Sequence, residues 1–78
     1  MLEGDLLSRI SIDPNICFGK PCIRGHRIWV SLILDLLAGG ETIESILEAY
    51  IGIEREDILA CLAFAAKTIQ DLYSQDGE

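Results

Sequence analysis

Thr42-Ile43-Glu44-Ser45-Ile46-Leu47-Glu48-Ala49-Tyr50-Ile51-Gly52-Ile53-Glu54-Arg55-Glu56-Asp57-Ile58 holds the pattern on which the fold turns. Ile43, Ile46, Leu47 and Tyr50 fall at i, i+3, i+4 and i+7, the spacing of one buried helical face, with Glu44 and Glu48 on the other. Thr42 places a hydroxyl just before this face and reads as its N-cap. Ile51-Gly52-Ile53 is a short turn, and a further helix opens at Glu54 or Arg55 and runs to Tyr73. Its expected buried line is Ile58, Leu62, Ala65, Ile69 and Leu72, while Glu54, Glu56 and Asp57 suit the positive end of its dipole. Two helices joined by a short Gly-containing turn outline a helix-turn-helix unit.

Working back from this unit, Val30 to Ala38 is almost wholly apolar, with Ser31 and Asp35 forming one thin polar stripe. A helix of that kind must be covered on most sides, and a second copy of the chain is one source of cover. Gly39-Gly40 ends it. Earlier still, Ser8 to Ile12 alternates as a half-buried strand, broken by Asp13-Pro14-Asn15 and again by Gly19-Lys20-Pro21. Cys22-Ile23-Arg24 and Arg27-Ile28 flank Gly25-His26, a two-residue link suited to a hairpin. The expected architecture is mainly α: a three-helix bundle over 29–73 with a β arm over 9–28, in a single domain spanning 1–78. Ser74 to Glu78 is polar and expected to fray.

The 78 residues carry a formal charge of -7, and half of them are apolar. That composition excludes a disordered chain and argues against a protein that lives by holding phosphate backbones. The charge is divided unevenly. Residues 1–30 sum to +1 through Arg9, Lys20, Arg24 and Arg27, whereas 31–78 sum to -8, with Arg55 and Lys67 against ten carboxylates. At the start of the last helix, where a DNA-reading unit meets base edges, stand Glu54, Arg55, Glu56 and Asp57. Three acids there would be repelled by phosphates.

Three cysteines without a secretory pattern at Met1 to Asp5 point to free thiols in a reducing cytoplasm. No stretch has the ~20 apolar residues of a membrane span. Cys17, Cys22, His26 and Cys61 are zinc ligands by type, but Cys61 lacks the nearby companion that structural sites use, so neither metal nor cofactor is expected. A Cys/His nucleophile would need an orienting group and a cleft, so catalytic residues are not expected either. Gly19-Lys20 fails as a phosphate loop because residues 14 and 21 are Pro. Lys20, Arg24, Arg27 and Trp29 are the candidate partner-binding residues, combining cations with the aromatic type enriched at interface hot spots. Arg24, Arg27 and Arg55 are candidates for contact with DNA.

The run Ile12-Asp13-Pro14-Asn15-Ile16-Cys17-Phe18-Gly19-Lys20-Pro21-Cys22-Ile23-Arg24-Gly25-His26-Arg27-Ile28 closely resembles the signature of the bacterial domain of unknown function family 433. The likeness extends from about Arg9 to Ile69 and departs from the pattern at Phe18, His26, Trp29 and Ile43, where Gly, Thr, Pro and Pro are usual. The resemblance implies a homeodomain-like helix-turn-helix with an N-terminal β arm. It further implies the antitoxin half of a toxin–antitoxin pair, neutralising a PIN-like ribonuclease, and the homodimer expected from the apolar helix Val30 to Ala38 fits beside it. Such nucleases gather carboxylates around Mg²⁺, and Arg24 and Arg27, with Lys20 third, are the cations expected to reach them. The alternatives are a stand-alone DNA-binding regulator, with Arg55 and the arm on phosphates, and a structural homodimer.

Overall fold

The computed structural model describes residues 3–73, so the expected fraying of Ser74 to Glu78 lies outside the described residues. Its elements are α1 (Glu3–Leu7), β1 (Ile10–Ser11), a tight turn (Cys17–Gly19), β2 (Cys22–Ile23), α2 (Val30–Ala38), α3 (Ile43–Ala49) and α4 (Arg55–Leu72). Among the described residues the architecture is mainly helical, with four helices and one two-stranded antiparallel sheet.

Helix α1 was absent from the sequence reading. It is a short helix ended by the Ser8 hydroxyl donating to the Asp5 carbonyl (2.7 Å) and the Arg9 N–H donating to the Leu6 carbonyl (2.9 Å). That ending uses up Ser8 and Arg9, and the expected strand from Ser8 to Ile12 contracts to Ile10 and Ser11. These pair with Ile23 and Cys22. The hairpin differs too. The His26 N–H donates to the Ile23 carbonyl and the Ile23 N–H to the Ile28 carbonyl (both 2.9 Å), so the turn centres on Arg24-Gly25 rather than Gly25-His26. Gly25 has φ +84°, the left-handed value that the third residue of a type II turn requires.

The expectations for α2 and α3 hold closely. Helix α2 closes in a Schellman motif, with Glu41 N–H on the Leu36 carbonyl and Gly40 N–H on the Leu37 carbonyl (both 3.0 Å), Gly40 adopting φ +100°. Helix α3 starts in a capping box: the Thr42 hydroxyl accepts from Ser45 N–H (3.0 Å), and Thr42 N–H donates to the Ser45 hydroxyl (3.1 Å). Ile46 is buried and Ile43, Leu47 and Tyr50 are half-buried on one face. Ile10, Ile23, Val30, Ile33, Ile46, Ile53 and Ile58 join with Ala60 and Cys61 in a core that takes residues from arm and helices alike.

Helix α4 is rotated relative to its expected setting. Its inward line is Asp57, Cys61 and Phe64 (i, i+4, i+7), flanked by Ile58 and Ala60. Of the expected line Ile58 is fully buried, whereas Leu62, Ile69 and Leu72 are 42%, 55% and 68% exposed. A carboxylate at the head of the true line hides it from an apolar pattern. Asp57 is nevertheless buried for a physical reason. One oxygen accepts the Glu54 N–H (2.8 Å) in a capping box that starts α4, and the other accepts Arg9 Nη1 (3.1 Å), which also reaches Glu54 (2.9 Å).

Asp57→Ala strands the cap and the buried end of this ion pair and is expected to destabilise the fold by about 2 kcal/mol in urea unfolding. Burial, and then the Asp57 charge, push the Cys61 thiol up from 9.0 to about 12. The unfolded chain therefore releases this proton first as pH rises, and the contribution, complete below pH 9.0, is lost progressively towards pH 12. Urea midpoints across that window should fall more steeply for the native chain than for Cys61→Ala.

Candidate partner-binding site

The arm between β1 and α2 is built from turns whose donors are satisfied locally. Asp13 caps the first: its carboxylate accepts Asn15 N–H (2.8 Å) and its carbonyl accepts Ile16 N–H (2.9 Å). Cys17, Phe18 and Gly19 follow with φ of 54°, 57° and 78°, a left-handed turn closed by Gly19 N–H on the Ile16 carbonyl and Lys20 N–H on the Cys17 carbonyl (both 3.0 Å). Two of the three are not glycine, and a left-handed residue of that kind costs about 1–2 kcal/mol. The strain has a visible product: Phe18 stands 89% exposed while its neighbour Cys17 is buried.

Lys20 and Trp29 meet across the arm. The Lys20 ammonium lies 4.7 Å from the centroid of the Trp29 ring, within cation–π range. Trp29 also precedes the first residue of α2, its extended backbone forming the N-cap, and pairs with Cys22 beside the sheet. Pro14, Asn15, Cys17, Phe18, Arg27 and Trp29 line an open depression of about 480 Å³. Burial and the nearby Cys22 thiol raise the Cys17 thiol above its ordinary range, outweighing the Trp29 indole and the Arg27 charge. Cys17 is thus a thiol that lines the depression without being poised as a nucleophile.

The four cations singled out in the sequence divide into distinct roles. Arg27 is exposed at the depression, with no hydrogen-bond or carboxylate partner among the described residues. Lys20 is exposed on the Trp29 ring. Arg24 is engaged within the chain: its Nε donates to the Ser8 carbonyl (2.8 Å) and its Nη2 to the Ile10 carbonyl (3.0 Å), clasping the strand β1. Arg55, at the start of α4, donates to Glu44 (3.3 Å), whose carboxyl is held below its ordinary range by its own backbone N–H and by Arg55. Arg27, Lys20 and Trp29 therefore gather at one end of the arm, Arg24 braces it, and Arg55 sits among acids.

Phe18 is legible in the sequence as a departure from the family pattern that adds apolar surface beside the basic arm, whereas the roles of Pro14, Asn15 and Arg9 are not. No propensity signals three successive left-handed residues when two are Cys and Phe. Among the described residues, no group of three or more His, Cys, Asp or Glu side chains is placed to hold a metal ion, and no helix is long and apolar enough to cross a membrane.

One family model matches the chain, described as a protein of unknown function (DUF433), over residues 10–65. That span contains the entire depression. No curated protein and no solved structure matches.

Phe18→Gly relieves a left-handed side chain that touches little, and is expected to hold stability or raise it by up to about 1 kcal/mol in urea unfolding. A loss comparable to a core truncation would show that the Phe18 ring supports the fold rather than serving the surface.

Proposed function

The chain belongs to the DUF433 family, and we propose that it acts as an antitoxin whose arm docks by protein–protein contact on the acidic site of a PIN-like ribonuclease. The observation that carries this reading is the exposed cation–aromatic face of the arm on an otherwise acidic chain: Arg27, Lys20 on Trp29, and Phe18 held outward by a strained turn. An Arg fork can take a carboxylate with two parallel hydrogen bonds, and Trp and Arg are the side chains that dominate interface energetics. Backbone strain retained beside such a face fits a site kept for binding. Arg24 keeps the arm in shape while Arg27 and Lys20 meet the partner.

The reading includes α2, α3 and α4 as a homeodomain-like helix-turn-helix, with α3 and α4 linked through Ile51-Gly52-Ile53. Autoregulatory binding to DNA, if the complex performs it, draws its basic surface from outside the head of α4, where Glu54, Glu56 and the paired Arg55 lie.

The test is inhibition and affinity measured against a PIN-like ribonuclease that co-purifies with the tagged chain. Arg27→Ala and Trp29→Ala are each expected to weaken the complex by about 2 kcal/mol, roughly thirty-fold, while Lys67→Ala, which removes a cation already paired with Asp71 on α4, leaves it unchanged. Full inhibition by a folded Lys20→Ala/Arg27→Ala chain would overturn the arm mechanism. Salt-sensitive binding of the chain alone to its own upstream DNA, with no nuclease complex, would replace it with a regulator.

A further inference from the structure

Cys17 and Cys22 are two thiols of the arm that the antitoxin reading leaves unused. Their side chains touch, the Cys17 thiol being in hydrogen-bonding contact with both the Cys22 thiol and the Trp29 indole. Two separate features of the backbone bring them together. The left-handed turn over Cys17–Gly19 buries Cys17 while Phe18 stands out, and Trp29, which lines the depression beside Cys17, pairs through its backbone with Cys22. Four residues separate the two cysteines, so a bond between them closes a short loop across a contact the fold already makes. We propose that this pair is an oxidative modification site, at which a peroxide joins Cys17 to Cys22 in an intrachain disulfide that ties the Phe18 turn to β2.

The two thiols meet the oxidant in a fixed order. Cys17 is 8% exposed and lines the open depression, whereas Cys22 is 1% exposed and faces the Ser11 hydroxyl at 3.7 Å. Peroxide therefore reaches Cys17 first. The Cys17 thiolate attacks one peroxide oxygen, the O–O bond breaks, and the second oxygen leaves as water with the proton the thiol released; Cys17 is now a sulfenic acid. The Cys22 sulfur then displaces the hydroxyl from the Cys17 sulfur, and that hydroxyl leaves as a second water with the Cys22 proton. The two thiols lose two electrons and the peroxide gains them.

The first step is slow and the second fast, for different reasons. Burial and the neighbouring Cys22 thiol keep Cys17 mostly protonated at neutral pH, so few thiolates are present to attack. Once formed, the sulfenic acid lies in contact with the thiol that consumes it, an intramolecular reaction that a second peroxide cannot match. The pair therefore passes directly to the disulfide and is spared further oxidation to sulfinic acid. Cys61 supplies the contrast within the same chain. It is buried in the core, its thiol is pushed up to about 12, and its charged neighbour is Asp57 rather than a second cysteine, so it stays reduced. Because Cys17 directly precedes Phe18, the cross-link fixes the base of the exposed ring. No partner enters this chemistry, which stands or falls independently of the antitoxin reading.

Titration of the full chain with hydrogen peroxide, read by mass spectrometry, tests it. The native chain should lose the mass of two hydrogens, show a Cys17–Cys22 cross-link in its peptide map with Cys61 still free, and return to the starting mass with dithiothreitol. The rate should rise with pH as Cys17 ionises. In Cys22→Ala the resolving thiol is gone, so dimedone should trap a Cys17 sulfenic acid that the native chain does not accumulate; the native peptide map decides alone if that variant does not fold. Sulfinic or sulfonic Cys17 without the cross-link, a disulfide to Cys61 or between chains, or a dimedone adduct as abundant on the native chain as on Cys22→Ala would overturn the site. Amide exchange then reads the turn. Gly19 and Lys20, whose N–H groups close it on the Ile16 and Cys17 carbonyls, should exchange several-fold more slowly in the oxidised chain, and unchanged exchange there would overturn the tie to β2.

Discussion

The buried carboxylate of Asp57 ties the beginning of the chain to its longest helix, and the arm depends on that tie. One oxygen starts α4 by accepting the Glu54 N–H; the other holds Arg9, which has just left α1. The carbonyl of Arg9 in turn accepts the Arg24 N–H at 2.7 Å, and the Arg24 guanidinium closes over the Ser8 and Ile10 carbonyls. From there the sheet carries on through Cys22 to Trp29 and the start of α2. A sheet of two residues per strand is marginal by itself. Here two arginines hold it, Arg9 reaching the start of α4 and Arg24 the carbonyls on either side of Arg9.

Size explains why polar ties do so much of this. A chain of 78 residues buries a smaller fraction of its surface than a large domain does, and its core is made mostly of isoleucine drawn from every helix and strand but α1, with Ile53 added from the turn before α4. Leu6 of α1 packs against that core from its edge. Every residue with a side chain in the core must then be placed by the backbone around it, and the caps of α3 and α4 and the Schellman close of α2 do that placing. Against this economy the left-handed Cys17 and Phe18 stand out, since they spend stability and bury only one of the two side chains.

Much of this was legible in the sequence, and the failures have definite causes. Helices α2 and α3 were readable because their apolar spacing, Thr42 and Gly39-Gly40 agree with one another. Helix α1 was not: five residues are too few to show a period, and a Gly lies within it. The rotation of α4 was missed because apolar pattern assigns a carboxylate to the surface, whereas Asp57 is buried by serving as cap and ion-pair partner at once. At the arm, Lys20, Arg27 and Trp29 were found as residue types and the depression brings Arg27 and Trp29 together, with Lys20 on the ring. Arg24 is of the same type but its reach to two backbone carbonyls depends on the position of β1, which no local pattern encodes.

The misplaced line of α4 also gives the net charge a structural meaning. Leu62, Ile69 and Leu72 were expected inside because they are apolar at helical spacing, and the pattern is real; it outlasts the core that its own chain can supply. The carboxylates Asp35, Glu41, Glu44, Glu48, Glu54 and Glu56 are all exposed, yet none lines the arm depression or the apolar groove between α2 and α4. These acids are thus kept out of both the depression lined by Arg27 and Trp29 and the apolar groove on α4. A strongly acidic body repels other copies wherever acidic surfaces meet. The surplus of acid therefore works as a constraint on how this chain can associate, and it acts without touching either surface.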